Sequence, residues 1–454
     1  MIKEVTFENF KSWQKAKIGC GKITGVFGTN SSGKTSLIQF LLLLKQTKDA
    51  TDRAIALELN GSLVELGSIT DAIHNHDVSL PINWQLKFEL ESELKLKDSS
   101  ENESIIARGR ELSIVADTVV INQAPLAIRV SYILDDLEFK LAKRSSNTQF
   151  DLTCHRIGHQ KHLNFNFLRT KGRAWQLPGP IKSYAFPDQA RTYFQNAGFL
   201  ADLEVSYESQ LDKIYYLGPL REYPQRDYLW SRSRPSDVGQ RGEKVIDAIL
   251  SATEAKEKRN LKHKATLKPF QEMIAYWLRE MQLIHEFRVV EIAENSNRWQ
   301  ARVKTRPGSS EVLLTDVGFG ISQVLPVITL LQYVPEGSTV ILEQPEIHLH
   351  PLAQAGLADV IIQAAQHRKV QVILESHSEH LLLRLQRRIA EEAIAADSVR
   401  LYFCDAPSGT SKITKLDLDL FGNIKNWPDK FMGDAFNEAA SAEISRLKRM
   451  LESS

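Results

Sequence analysis

The sequence predicts an α/β fold: a mostly parallel sheet, with a β-rich insertion and a helical subdomain. Three observations carry that reading. The strand-like run ITGVFG enters the glycine-rich stretch GTNSSGKT, and the helix-like SLIQFLLLLKQT follows. From residue 312 onward, helix-like and wholly apolar strand-like runs take turns: SQVLPVITLLQYV, TVILEQ, PLAQAGLADVIIQAAQ, KVQVILES, HLLLRLQRRIAEEA and VRLYFC. Strands alternating with helices argue for a parallel sheet covered by helices. Between about residues 82 and 215 the texture differs, because INWQLKFELESELKLK, LSIVADTVVI, IRVSYILDDLEFKLA and LNFNFLR alternate apolar and polar residues. Period-two alternation marks half-buried strands of an antiparallel sheet.

Taken in order, the elements divide the chain into five segments. Residues 1–80 hold strand, turn, strand, glycine-rich loop and helix. Residues 81–215 form the β-rich insertion, with KDSSENES (98–105) as a polar loop between two of its strands. Residues 216–300 form a helical segment, with VIDAILSATEAKEKRNLKHK and FQEMIAYWLREMQLI as helices and FRVVEIAE and RWQARVKT as strands. Residues 301–415 form the second α/β lobe, and 416–454 a C-terminal segment. There is no internal repeat and no sustained heptad pattern.

The bulk properties set limits. A chain of 454 residues suits two or three domains, or one domain with insertions. Its 43% hydrophobic and 25% charged content is ordinary for a globular protein. A net charge of +1 excludes a polycation, so nucleic acid, which stays open as a partner, would need a local basic patch. No apolar run approaches the roughly 20 residues that span a membrane, so no membrane role is expected. The start MIKEVTFENFKSW lacks the apolar core of a signal peptide. Cys20, Cys154 and Cys404 are far apart and in no metal-binding spacing, which favours a reducing, cytoplasmic location without structural zinc.

Residues Gly28-Thr29-Asn30-Ser31-Ser32-Gly33-Lys34-Thr35 satisfy G-x-x-x-x-G-K-[ST] in full. The glycines let backbone N–H groups curl round a phosphate chain, and the following helix adds the positive end of its dipole. Lys34 would reach the β and γ phosphates and the Thr35 hydroxyl would ligate magnesium. No N-K-x-D guanine-reading segment is present, which points to ATP. Glu343 ends the apolar run TVIL, where a carboxylate orients magnesium or its water shell. His377 ends a second apolar strand in ESHSEH; alone it reads as an ordinary strand-end histidine, and beside a phosphate strand as a γ-phosphate contact. TDVGFGISQ (315–323) precedes a helix and reads equally as an anion site or as a simple cap by Ser322.

In this order the motifs resemble the ABC-type ATPase head of SMC-like proteins and of the overcoming-lysogenisation-defect nucleases. The EQPEIHLHP segment, YYLGPLREYPQRDY (215–228), LNGSLVELGSITDAIHNHD (59–77) and LDLDLFGNIKNWPDKFMGD (416–434) look like bacterial ATPases with a DUF3696-like C-terminal segment. The resemblance implies two heads that sandwich ATP, hence a homo-oligomer. It implies that Gly28, Asn30, Ser31, Ser32, Gly33, Lys34, Thr35 and Ser36 hold ATP and Mg2+, with Glu343 as Walker B acid and His377 as switch histidine. Gly318, Gly320 and Ser322 would form the signature that meets the partner head's γ-phosphate, although VGFGISQ departs from LSGGQ. Leu349–Pro351 would form the D-loop, and Gln46 is the candidate magnesium glutamine. Many proteins of this group sit beside an effector gene in anti-phage defence operons, which implies a nuclease or toxin as partner.

Gln344 stands where such a head carries glutamate. An amide positions water but cannot take its proton, and proton acceptance is typically worth ~10²–10⁴ in rate. Hydrolysis is then slow, or Glu346 substitutes, or His377 and the γ-phosphate handle the proton. Two basic stretches are ambiguous. Thr253–Lys268 carries six Lys or Arg against two Glu, and Arg384, Arg387 and Arg388 share one helix. Each reads as a backbone contact for nucleic acid or as a solvated face. Arg221 and Arg226 with Tyr223 and Tyr228 read as a nucleotide sensor, a dimer seam or a packing loop, and Trp427 and Phe431 as a docking site or as packing against the core.

Overall fold

The computed structural model describes residues 1–98, 104–145, 148–158, 165–172, 176–260, 266–294, 296–428, 444–446 and 449. Its centre is a six-stranded sheet in the order Lys412–Leu416, Val399–Asp405, Ile23–Gly28, Gln371–Glu375, Thr339–Glu343, Ile214–Leu217. All neighbours are parallel except Lys412–Leu416, which runs antiparallel to Val399–Asp405. The register sets Glu343 opposite Glu375 and Gly28 opposite Cys404, so the carboxyl ends of these strands share one edge. In open α/β sheets that edge is where ligands bind.

Period-two alternation sends the strand side chains to two cores. Ile23, Phe27, Val340 and Leu342 face one core, with the helices Phe319–Tyr333, Pro351–His367 and Glu379–Ala390. Val26, Ile341 and Ile373 face the other, which lies against the helix Lys34–Asp49 and a second sheet. That helix is apolar nearly all round, with Phe40 to Leu44 all buried, as a helix between two layers must be. Phe40 stacks on Phe7 of the second sheet at 4.4 Å.

The second sheet is antiparallel and seven-stranded: Trp13–Gly19, Ile2–Phe10, Ile82–Lys97, Ile105–Ile121, Ala124–Leu134, Leu137–Lys143, Phe150–Arg156. The two N-terminal strands therefore pair with the β-rich insertion rather than with the phosphate-loop strand. One amide ties the layers together. Gln371 accepts from Ile2 N (3.0 Å) and the Thr339 hydroxyl (3.0 Å), and donates to Ile2 O (2.7 Å) and Gly21 O (2.9 Å).

Two expectations need correction. The described part of LNFNFLR is not a strand of this sheet: it makes a single bridge, Arg169 to Phe194, because Phe165 and Phe167 pack edge-on and stacked against Phe199 instead. The helix expected over VIDAILSATEAKEKRNLKHK ends at Glu254; Lys258–Asn260 then pairs with Leu267–Pro269 as a short hairpin. Residues 99–103 of the polar loop, 261–265 of the basic stretch, and Phe431 lie outside the described residues. Among the described residues no helix is long and apolar enough to cross a membrane.

Candidate functional site

The strand Ile23–Gly28 delivers the phosphate loop to the carboxyl edge of the sheet. Gly28 has φ +146, and a Cβ there would meet Cys404 O at 2.1 Å. Gly33 has φ +87, and its Cβ would strike Ser411 Oγ, Ser12 Oγ and Trp13 Nε1 within 2.8 Å. Any other residue at these two positions would be both strained and blocked. Thr29 O accepts from the Ser32 hydroxyl (2.8 Å) and from Lys34 Nζ (2.6 Å), so the loop curls on itself. Asn30, Ser31 and Thr35 are exposed at its mouth, and Gly33 caps the helix that begins at Lys34.

Two buried carboxylates face that loop. Glu375 Oε2 accepts from the Thr35 hydroxyl at 2.9 Å, and its Oε1 lies 4.0 Å from Lys34 Nζ. Glu343 Oε1 accepts from the Tyr216 hydroxyl at 2.9 Å. Burial, and then the charge of Glu375, pushes the Glu343 carboxyl up to about 7. Burial also raises Glu375, against the opposing pull of the Thr35 hydroxyl and Lys34. Adjacent like charges taken out of water are relieved by a cation, and carboxylate and hydroxyl oxygens are the ligands magnesium prefers. Thr35, Glu343 and Glu375 therefore fit a magnesium-bound nucleotide. Among the described residues no cluster of three or more His, Cys, Asp or Glu forms a self-contained metal cage. Magnesium usually takes one or two carboxylates plus phosphate and water oxygens.

Glu375 was not singled out by the motifs. The signal was there: VQVILE ends in an acid as TVILE does, and parallel pairing of the two strands puts the acids side by side.

His377 follows at the rim. Burial, and then the Lys34 charge, keep its pKa below the usual imidazole value. Its backbone N donates to Glu346 Oε1 at 2.7 Å. Glu346 Oε2 is buried without a partner, and burial raises that carboxyl. Glu346 thus holds the His377 turn. Gln344 has φ 43 and its N donates to Glu375 O at 2.9 Å, so backbone geometry alone fixes where its amide starts.

The remaining candidates are placed as follows. Gly318 caps the helix Phe319–Tyr333 and is open to solvent, while Gly320 lies against His348 O. Ser322 is buried and its hydroxyl donates back to Phe319 O at 2.7 Å, so it is turned away from the surface that Gly318 presents. In the D-loop candidate, His350 caps Leu352 N and Pro351 occupies the first helical turn.

Gln46 is a correction. Its Nε2 donates to Glu58 O and Val64 O, and its Oε1 accepts from Leu63 N and Val64 N. It is fully engaged in shaping that loop, and eleven residues of helix put it roughly 16 Å from Thr35.

The arginines of the helix Glu379–Ala390 are neutralised: Arg384 and Arg388 pair with Asp359, and Arg387 with Glu391. Trp427 is partly exposed.

Three family models match successive parts of the chain. Residues 1–174 match "AAA ATPase domain", residues 201–384 match "AAA domain, putative AbiEii toxin, Type IV TA system", and residues 394–441 match "Protein of unknown function (DUF3696)". No curated protein matches. Among solved structures, an SMC head bound to the C-winged helix domain of ScpA is 12% identical, with a TM-score of 0.44 over 92% of this chain and 98% of that one. The SMC head domain from Thermotoga maritima is 11% identical, with a TM-score of 0.41 over 92% and 99%. One from Pyrococcus furiosus is 10% identical, with a TM-score of 0.41 over 92% and 96%. Likeness at this level adds nothing on activity or partners to what the site itself supports. The two stretches that match AAA models thus hold the phosphate loop and the strand-end acid Glu343, and the DUF3696 match lies behind them.

Proposed function

We propose that this chain is a slow ATPase of the ABC head type. The observation that carries the reading is the convergence of Lys34 and Thr35 with the buried pair Glu343 and Glu375 at one sheet edge. Residues 28–36 would cradle the phosphates, and Thr35 and Glu343 would hold magnesium, with Glu375 beside them. Bound magnesium supplies positive charge to the β and γ phosphates. Lys34 adds its own, His377 faces the γ-phosphate as a neutral donor, and Gln344 orients the attacking water without taking its proton. Positioning and electrostatics carry most of phosphoryl transfer, so turnover without a carboxylate base is slow but real.

The exposed Gly318 end of a 15-residue helix would meet the nucleotide held by a second copy, giving a head-to-head homodimer. By resemblance to defence ATPases, the dimer would control an effector protein in anti-phage defence. The test is single-turnover ATP hydrolysis by the purified chain. Slow turnover, lost in Lys34→Ala, supports the reading; tight ATP binding with no turnover in the unaltered chain overturns it.

A further inference from the structure

Arg221 lies in the loop after the edge strand Ile214–Leu217 and is only 4% exposed. Its Nη2 donates to the main-chain O of Glu343 at 3.2 Å, while its Nε and Nη1 are buried without partners. It stays charged at neutral pH, although burial pulls its pKa down to about 10. A buried guanidinium with two unpartnered nitrogens is a poor filler, since apolar residues of that volume cost less to bury. It is placed against the Walker B turn, the one backbone segment that carries Glu343, Gln344 and Glu346.

The same loop reaches the signature helix. The Tyr223 ring packs on Phe319 at 5.1 Å, and Phe319 packs on His348 at 5.0 Å. Arg226 pairs with Asp316 at 3.1 Å, three residues before the start of that helix. Tyr216, at the other end, bonds Glu343. The eleven residues 216–226 therefore touch the strand-end acid by side chain and by backbone, and touch the signature segment by a ring and by an ion pair.

We propose that Arg221 is a positioning residue for ATP hydrolysis. It holds the Glu343 carbonyl so that Gln344 keeps its aim, and the Tyr223 and Arg226 contacts tie that placement to the signature helix of the same head. The proposal rests on the ATPase reading above. Through this strap, a shift of the signature helix on docking with a second head reaches the water-positioning amide in its own nucleotide site.

The experiment compares the unaltered chain with Arg221→Met, Arg221→Lys, Arg226→Asp, Asp316→Arg and the Arg226→Asp/Asp316→Arg swap. Fluorescent ATP analogue binding and single-turnover hydrolysis are both measured. Arg221→Met should bind nucleotide within about threefold of the unaltered chain yet turn over ~10-fold or more slower, with Arg221→Lys between them. Arg226→Asp should slow turnover by about threefold and the swap should restore it, as a partner-specific ion pair requires. Unchanged turnover in Arg221→Met, or nucleotide affinity lost in step with turnover, overturns the proposal alone. If Arg221→Met does not fold, the exposed pair decides, and a swap that fails to restore turnover overturns it. An unaltered chain that binds ATP without turnover overturns the ATPase reading and the proposal together.

Discussion

At Gln344 the chain takes a left-handed conformation, φ 43, and its N is held by Glu375 O. A glutamate of the same shape would start from the same backbone, so Gln344→Glu adds a proton acceptor without moving it. Single-turnover rates should rise by ~10-fold or more, the low end of what a positioned base provides. An unchanged rate would mean that Gln344 does not face the attacking water. Glu346 makes the opposite case. Its oxygen accepts from His377 N, which an amide oxygen does equally well. Glu346→Gln should therefore keep most of the turnover, while Glu346→Ala frees the His377 turn and loses it. Turnover abolished in Glu346→Gln, with ATP still bound, would make Glu346 the base. The geometry behind these predictions was only half legible in the sequence. The glutamine was visible as a departure from pattern, but the inward turn of Glu346 depends on the turn geometry of residues 344–349, which spacing alone does not encode.

At the scale of elements, the helix Glu379–Ala390 shows how local chemistry fixes the site. Ser378 caps it by accepting from Leu381 N (3.0 Å), and its own hydroxyl donates to Gln354 Oε1 (2.6 Å) on the neighbouring helix. Ser378 is one residue from His377, so the cap also sets where the turn after the strand Gln371–Glu375 ends. Ser378→Ala should cost about 1–2 kcal/mol in urea denaturation, the loss of a cap plus a stranded amide oxygen. A cost near zero would show that water replaces both bonds. The strands that line the site were legible because buried parallel strands read as unbroken apolar runs ending in polar residues. Glu375 escaped because its place beside the loop depends on strand order, with Gln371–Glu375 lying between the phosphate-loop strand and Thr339–Glu343. Gln46 misled for a related reason: a glutamine in the first helix after the loop is equally suited to bonding a neighbouring loop, and here 58–64 claims it.

At the scale of the molecule, Gln371 is the clearest fastening between the two sheets, with both amide atoms doubly bonded and the residue 1% exposed. Gln371→Leu fills the volume but leaves the Ile2 amide and carbonyl and the Gly21 carbonyl without it. The expected loss is ~3 kcal/mol or more of folding stability in denaturant titration, from desolvated groups that no longer bond. A loss below about 1 kcal/mol would mean the layers are held by apolar contact alone. The start of the strand Ile82–Lys97 was visible as a change of texture near residue 82. The pairing of Ile2–Phe10 with Ile82–Lys97 was not, because it joins strands separated by the whole phosphate-loop helix. That helix, Lys34–Asp49, is gripped by a sheet on either side, so the core it fills belongs to both sheets and cannot melt with one alone. Heating should give one calorimetric transition. Cutting away the antiparallel sheet would bare the run Phe40–Leu44 and leave an aggregating fragment instead of a smaller folded unit. The phosphate-loop helix and its β-rich cover are inseparable, and any transplant of one must carry the other.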